Sequence, residues 1–335
     1  MPHRDIVAIG TSAGGVDALR SVTRKLSPDF DATILVVIHL ASGFSSSLDR
    51  FLSQNGPLPA SFARDDEKIE PGHIYLAPPD RHLLLDGHRL LLGRGPRENN
   101  AKPAIDPLFR SVGLCCGGRA IGIVLSGMLG DGAAGLLALK QCGGITVVQE
   151  PSDAAYAEMP EIALRRAQPD HVAALSAMPA LLTKLIRQPS GEPVLVPERI
   201  KFEVEIARSG HSNMNEMDRI GRRSLLACPD CHGVMWEIDE GDLVRYRCHV
   251  GHAYTAETAE FAIDENLTGA LASALRALDE RVAVTQTLRD KAVASGHNKS
   301  AEWWTLRNGE VEHEAEVIRE SILRIEELIG DNRRR

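Results

Sequence analysis

Apolar runs of strand length alternate with helical patterns through the first half of this chain, and that alternation restricts the fold more than any other feature. Ile6-Val7-Ala8-Ile9 reads as a strand, and Val16, Leu19, Val22 and Leu26 follow at helical spacing. Thr33 to Ile38, rich in β-branched residues, is a second strand, with Leu48, Phe51 and Leu52 on a short helix after it. Ile121 to Leu125 and Ile145 to Val148 repeat the pattern around a helix from Ala134 to Gln141. A strand that is apolar at every position needs cover on both faces, the condition inside a parallel sheet flanked by helices. The expected class is α/β, doubly wound and mostly parallel. Leu83-Leu84-Leu85 and Leu90-Leu91-Leu92 flank Asp86-Gly87, so an antiparallel hairpin is expected beside the sheet.

The turn after the first strand carries the chemistry. Gly10-Thr11-Ser12-Ala13-Gly14 fits the G-x-S-x-G elbow, in which small neighbours let a serine stand at the sheet edge while backbone N–H groups face a developing oxyanion. Taken alone, the motif leaves a phosphate-binding loop or a purely structural turn open. Its surroundings favour an esterase. His39 directly follows the run Thr33 to Ile38, and Asp131 follows the run Ile121 to Leu125. Ser12, His39 and Asp131 therefore fall just past the carboxyl ends of three expected parallel strands, the edge at which open α/β sheets bind ligands. The chain order Ser, His, Asp differs from the α/β-hydrolase order Ser, Asp, His, which points to a separate serine-hydrolase fold. His82 is the rival histidine, and on an expected loop it is assigned to the substrate rim.

The remainder of the chain has a different character. A length of 335 residues suits two or three domains. Pro189, Pro193 and Pro197, with Ser190 and Gly191, mark a linker expected over 188–224. Cys228-Pro229-Asp230-Cys231 and Cys248-His249-Val250-Gly251-His252 then bracket residues 232–247, which is zinc-ribbon spacing. Val234 to Ile238 and Leu243 to Arg247 alternate as a hairpin turning at Glu240-Gly241-Asp242. Cys228, Cys231, Cys248 and His252 are the expected ligands of a structural zinc in a unit over 225–256, with His249 as the rival to His252. Cys115, Cys116 and Cys142 lack ligand partners in sequence and read as buried small hydrophobes. From 257 to 330, apolar residues recur at spacings of three and four, first at Leu267, Leu271, Leu278 and Val282, then at Val311, Ala315, Ile318 and Ile322. Gly296-His297-Asn298 separates the two series, giving an antiparallel helical hairpin, read as a packing or homodimerisation element with a signalling docking surface as the alternative.

Charge and targeting exclude some functions. A formal net charge of -8 argues against nucleic-acid binding, and the basic run Arg333-Arg334-Arg335 is a terminal tail. No run approaches the roughly 20 apolar residues of a membrane span. Without a signal peptide the expected compartment is the cytoplasm, where clustered cysteines bind metal rather than form disulfides.

Four segments then fall into one pattern: Ile9 to Gly15, His39-Leu40-Ala41-Ser42-Gly43-Phe44, Tyr75 to His82 and Leu125 to Gly132. Through them, residues 1–187 resemble the catalytic domain of the chemotaxis protein-glutamate methylesterase family, the CheB type. The resemblance implies Ser12 as nucleophile, His39 as base and Asp131 as orienting acid, with no cofactor for catalysis. It implies hydrolysis of glutamyl methyl esters on methylated chemoreceptor helices, and deamidation of glutamine at such sites. The Ala13 N–H is the first oxyanion donor expected, and Met128 is expected to line the site. Two departures stand out. Family members carry an N-terminal receiver domain, whereas the elbow here begins at residue 10, so control is expected from a separate response regulator or from the region behind the esterase. The family often has threonine after the nucleophile, where this chain has Ala13. A non-catalytic signalling module built on the same fold is the alternative function.

Overall fold

The expected strands assemble into one parallel sheet. A computed structural model of the chain describes residues 3–39, 47–241 and 243–332. Leu40–Phe44 of the second resembling segment, Asp242 of the expected turn and Arg333–Arg335 lie outside the described residues. The chain runs through β1 (Ile6–Thr11), α1 (Gly15–Thr23), β2 (Thr33–Ile38), α2 (Leu48–Asn55), β3 (Ala60–Phe62) and β4 (Ile74–Leu76) to a hairpin of β5 (His82–Asp86) and β6 (Arg89–Gly93). It continues through α3 (Ile105–Cys116), β7 (Ala120–Val124), α4 (Ala133–Gln141), β8 (Ile145–Gln149), α5 (Glu158–Ala167), β9 (His171–Ala173) and α6 (Met178–Ile186). Then come α7 (Glu198–Ser209), α8 (Met214–Ile220), β10 (Arg222–Ala227), β11 (Val234–Glu240), β12 (Leu243–Cys248) and β13 (Ala253–Thr255). Two long helices close the chain, α9 (Ala256–Ala294) and α10 (Asn298–Asn332).

The main sheet has the order β3-β4-β2-β1-β7-β8-β9, with every pair parallel. Its inner strands β1, β2, β4 and β7 are buried on both faces. Val7, Ile9, Ile34 and Val36 pack with Leu19 of α1, Leu52 of α2 and Leu182 of α6. Their neighbours Ile6, Ala8, Leu35 and Val37 pack with Phe109 of α3, Leu136 of α4 and Ile162 of α5. Side chains alternate across a strand, so two apolar layers require an unbroken apolar run, which is what the sequence has. The chain starts at the centre on β1, winds outward through β2, then returns to β7 on the other side of β1. The carboxyl ends of β1, β2 and β7 therefore frame the topological switch point.

Contact density divides the chain into Met1–Ala259 and Glu260–Arg335. The stretch 188–224, expected as a linker, holds α7 and α8, and the ribbon strands belong to the same unit as the parallel sheet. The ribbon is also larger than a hairpin: β10 and β13 flank β11 and β12 in a four-stranded antiparallel sheet. The helical pattern of α7 was masked because its buried face mixes Ile200, Ile206 and Ala207 with a carboxylate, Glu203.

That carboxylate belongs to an ion network that joins the ribbon to the sheet body. Arg245 of β12 donates to both Glu203 oxygens at 2.7 and 2.9 Å, and to Glu240 at 2.7 Å. Arg247 reaches Glu98 and Glu203, each at 3.1 Å, and donates to the Gly251 carbonyl at 2.8 Å. Arg110 of α3 pairs with Glu98 and stands 3.2 Å from Glu203. Glu98, Arg110, Glu203, Arg245 and Arg247 are all buried. Burial alone would push Glu203 upward, but the guanidinium groups of Arg245, Arg110 and Arg247 hold it well below the usual carboxylate range.

The second unit contains most of α9 and all of α10, which run antiparallel. Thr285 donates to Asn308 at 2.6 Å, and Arg319 stands 3.4 Å from Asp279. The break at Gly296-His297 falls where the hairpin turn was expected. Val311 and Ala315 are buried, whereas Leu267, Leu306 and Leu323 are exposed.

Candidate active site

Ser12 stands at the end of β1, in a turn whose glycines are sterically required. A Cβ at Gly10 would lie 2.2 Å from Ile105 Cγ2, and Gly14 has φ 73°, the left-handed region that glycine enters freely. The turn is fastened to the loop after β7. The Ser12 N–H and the Thr11 hydroxyl donate to the Ser126 carbonyl at 3.0 and 2.8 Å, and the Ser126 hydroxyl donates to the Ala13 carbonyl at 2.9 Å. Gly15 opens α1, whose positive N-terminal end faces the turn. The Ala13 N–H has no acceptor among the described residues.

His39 follows β2, which pairs with β1 so that Thr11 stands opposite Ile38. Its own N–H donates to the Thr11 carbonyl at 3.2 Å, which sets residues 12 and 39 at the same level on strands about 4.8 Å apart. His39 Nε2 lies 2.9 Å from Asp131 Oδ2. Asp131 is buried and accepts N–H groups from Ile105 (2.6 Å), Gly132 (3.0 Å) and Asp106 (3.3 Å). The Asn99 amide donates to its Oδ1 at 2.9 Å. Burial would raise the Asp131 pKa, but His39, the Ile105 N–H and Asn99 overcome this and hold it below the ordinary value. The acid is thus kept ionised, and the histidine is left one nitrogen, Nδ1, for proton transfer.

Several residues around this pair have parts that the sequence reading did not assign. Ser126 ties the elbow to the β7 loop. Asp106, in the first turn of α3, accepts N–H groups from Gly132 at 3.0 Å and Gly135 at 2.6 Å and the Asn99 amide at 2.9 Å. Burial and the charge of Asp131 push Asp106 up to about 7, against the pull of Arg110. A buried carboxylate in α3 and an asparagine in a loop have no sequence periodicity to mark them, and their partners are distant in the chain.

The remaining expectations divide. Met128 is 44% exposed on the loop after β7. His82 is not at a rim: it begins β5, is buried, and is engaged at both ring nitrogens. Its Nε2 lies 2.8 Å from the Pro96 carbonyl, and its Nδ1 accepts the Ala104 N–H at 3.2 Å. Burial depresses its pKa, so it is a neutral structural histidine. Cys116 and Cys142 are buried as expected, but Cys115 is only partly buried.

In the ribbon, the sulfur atoms of Cys228, Cys231 and Cys248 and a ring nitrogen of His252 all lie within 4.8 Å of one another. Cys231 and Cys248 sulfurs are 3.6 Å apart, and Cys248 Sγ is 3.5 Å from His252 Nδ1. Thiolates held tetrahedrally at about 2.3 Å from zinc stand roughly 3.8 Å apart, so three thiols and one imidazole fit that ion. Asp230 Oδ2 stands 3.7 Å from His252 Nε2, the placement of an outer carboxylate behind a ligating imidazole. His249 is not part of this group.

Comparison with known proteins bears on the first half of the chain. The family described as CheB methylesterase matches residues 7–182. Protein-glutamate methylesterase/protein-glutamine glutaminase 3 of Anaeromyxobacter dehalogenans (strain 2CP-C) is 38% identical over 190 residues, covering 56% of this chain and 56% of that protein. Protein-glutamate methylesterase/protein-glutamine glutaminase of Photorhabdus laumondii is 35% identical over 171 residues, covering 50% and 49%. The chain spans about half the length of these relatives. The crystal structure of the Thermotoga maritima CheB methylesterase catalytic domain superposes with a TM-score of 0.52 at 30% identity, covering 54% of this chain and 98% of that one.

Proposed function

The chain belongs to the CheB methylesterase family, and from that premise we propose that it is a serine esterase removing methyl groups from glutamyl methyl esters of chemoreceptor-type signalling proteins. The observation that carries this reading is the 2.9 Å contact between His39 and the buried Asp131, level with an elbow serine on the adjoining strand. Ser12 Oγ attacks the ester carbonyl while His39 Nδ1 accepts its proton. Asp131 holds the other ring nitrogen and stabilises the imidazolium. The Ala13 N–H faces the oxyanion, and Met128 lines the approach of the substrate helix. His39 returns the proton to departing methanol, and water then cleaves the glutamyl-serine ester to leave a carboxylate. A glutamine side chain entering the same site forms the same acyl-enzyme with ammonia as leaving group, in keeping with the two activities in the relatives' names.

Cys228, Cys231, Cys248 and His252 would hold a structural zinc. With four protein ligands there is no open position for substrate, so it supplies folding energy rather than chemistry. No helix among the described residues is long and apolar enough to cross a membrane. A cysteine cluster that reads as a metal site rather than a disulfide framework suits a reducing compartment such as the cytoplasm. The exposed apolar residues of α9 and α10 support a role for the hairpin in pairing two copies or in docking a response regulator.

The test is methanol release from a methylated receptor signalling fragment. The natural chain should release methanol and Ser12→Ala should not, the expected loss being about six orders of magnitude. Equal release from the two would refute the reading.

A further inference from the structure

Asn99 occupies the loop between β6 and α3 with a left-handed backbone, φ 51°, and is buried. Its amide is used completely. The Nδ2 group donates one hydrogen to Asp131 Oδ1 and the other to Asp106 Oδ2, each at 2.9 Å. Its Oδ1 accepts two donors from the end of the ribbon and the first turn of α9, the Thr255 N–H at 2.9 Å and the Thr258 hydroxyl at 3.0 Å. The amide cannot be turned over, because its oxygen would then face two carboxylates. The backbone adds a second connection: the Asn99 N–H donates to the Ala253 carbonyl at 2.7 Å, and the Ala253 N–H to the Arg97 carbonyl at 3.4 Å. The adjoining Glu98 is held by Arg247 of β12.

We propose that Asn99 is a positioning residue for the triad acid, and that β13 with the first turn of α9 completes the esterase site through it. The inference rests on the esterase reading given above. Thr255 and Thr258 lie outside residues 7–182, so part of the support for the catalytic acid comes from beyond the family's own domain. Asn99 touches no reacting atom. It fixes the Asp131 carboxylate along one oxygen while the other meets His39. It also bridges Asp131 and Asp106, giving one N–H to each carboxylate. Misplacing a group of this kind by about 1 Å costs up to a hundredfold in rate.

The experiment uses the full chain with p-nitrophenyl acetate as substrate, following kcat, KM and the pH profile of kcat. Asn99→Ala should lower kcat about 10- to 100-fold with KM little changed. The acid limb of its profile should move to higher pH, since a carboxylate with one donor fewer binds the imidazolium more strongly. Thr258→Val should lower kcat about fivefold, the share of one hydrogen bond, and Thr258→Ser, which keeps the hydroxyl, should restore it. Asn100→Ala, which has the same left-handed backbone (φ 62°), should behave as the natural chain. Should Asn99→Ala not fold, the Thr258→Val and Thr258→Ser pair decides. A natural chain that hydrolyses the ester through Ser12 while Asn99→Ala and Thr258→Val match it in kcat and pH profile overturns this inference alone. A natural chain that neither hydrolyses this ester nor releases methanol from the methylated receptor fragment overturns it together with the esterase reading.

Discussion

Two buried carboxylates one amide apart have opposite acidities, and the difference sets a pH signature. Asp131 is held low by His39 and its N–H donors against burial, whereas burial and the charge of Asp131 raise Asp106 from the ordinary 3.8 to about 7. Between these two pH values the folded chain keeps a proton on Asp106 that the unfolded chain has released. Stability from this group therefore falls as pH rises from about 4 to about 7. Asp131, Glu98 and Glu203 act in a different window, since their folded values are lowered. Their contribution is fully present above the ordinary carboxylate range and is lost as pH falls through the lowered values. Denaturant unfolding measured from pH 4 to pH 8 should show the Asp106 component as a downward slope, and Asp106→Asn should flatten it. A slope unchanged in that variant would contradict the assignment. Neither the pairing nor the shift was legible in the sequence. Ser12, His39 and Asp131 were, because each directly follows a strand-length apolar run or lies within one short loop of it. Asn99 and Asp106 depend on partners brought close only by the finished fold.

At the scale of elements, legibility followed periodicity. The three-residue strands β3, β4 and β9 were too short to read. Strands β1, β2, β7 and β8 were visible as unbroken apolar runs, and the helical hairpin was visible as a spacing of three and four. Helix α7 was not, because Glu203 takes a core position, nor was His82, which reads as polar but begins a buried strand. Strands β10 and β13 were also missed. The former is largely exposed and the latter is three residues long, so neither offers a run to recognise. The ribbon's cysteines, in contrast, announced themselves by spacing. Three thiols and an imidazole within 4.8 Å predict that Cys228→Ser together with Cys248→Ser abolishes bound zinc. Metal analysis of purified protein should find about one zinc per natural chain and none in the double variant. The same content in both would exclude this ligand set. The double variant should also unfold at lower temperature, because the ribbon sits in the same compact unit as the sheet.

For the molecule as a whole, the buried ion network determines how the ribbon and the sheet body share one fold. Arg247 is fully buried between Glu98 of the sheet body and Glu203 of α7. Removing one member of such a group leaves uncompensated charge, so Arg247→Met should destabilise the chain by about 3–5 kcal/mol in denaturant unfolding. If the ribbon were an independent attachment, the cost would appear only in a separate ribbon transition, leaving the unfolding of the sheet body unchanged. The structure argues against that independence, since the same ribbon reaches Asp131 through Asn99. The whole account converges on Ser12 as a nucleophile driven by His39 and Asp131. Peptide mapping by mass spectrometry after treatment with a fluorophosphonate tests this most directly. The account predicts a single adduct on the peptide containing Ser12, absent from Ser12→Ala and formed far more slowly in His39→Ala. An unmodified Ser12 peptide in the natural chain, or labelling that is unaffected by His39→Ala, would contradict it.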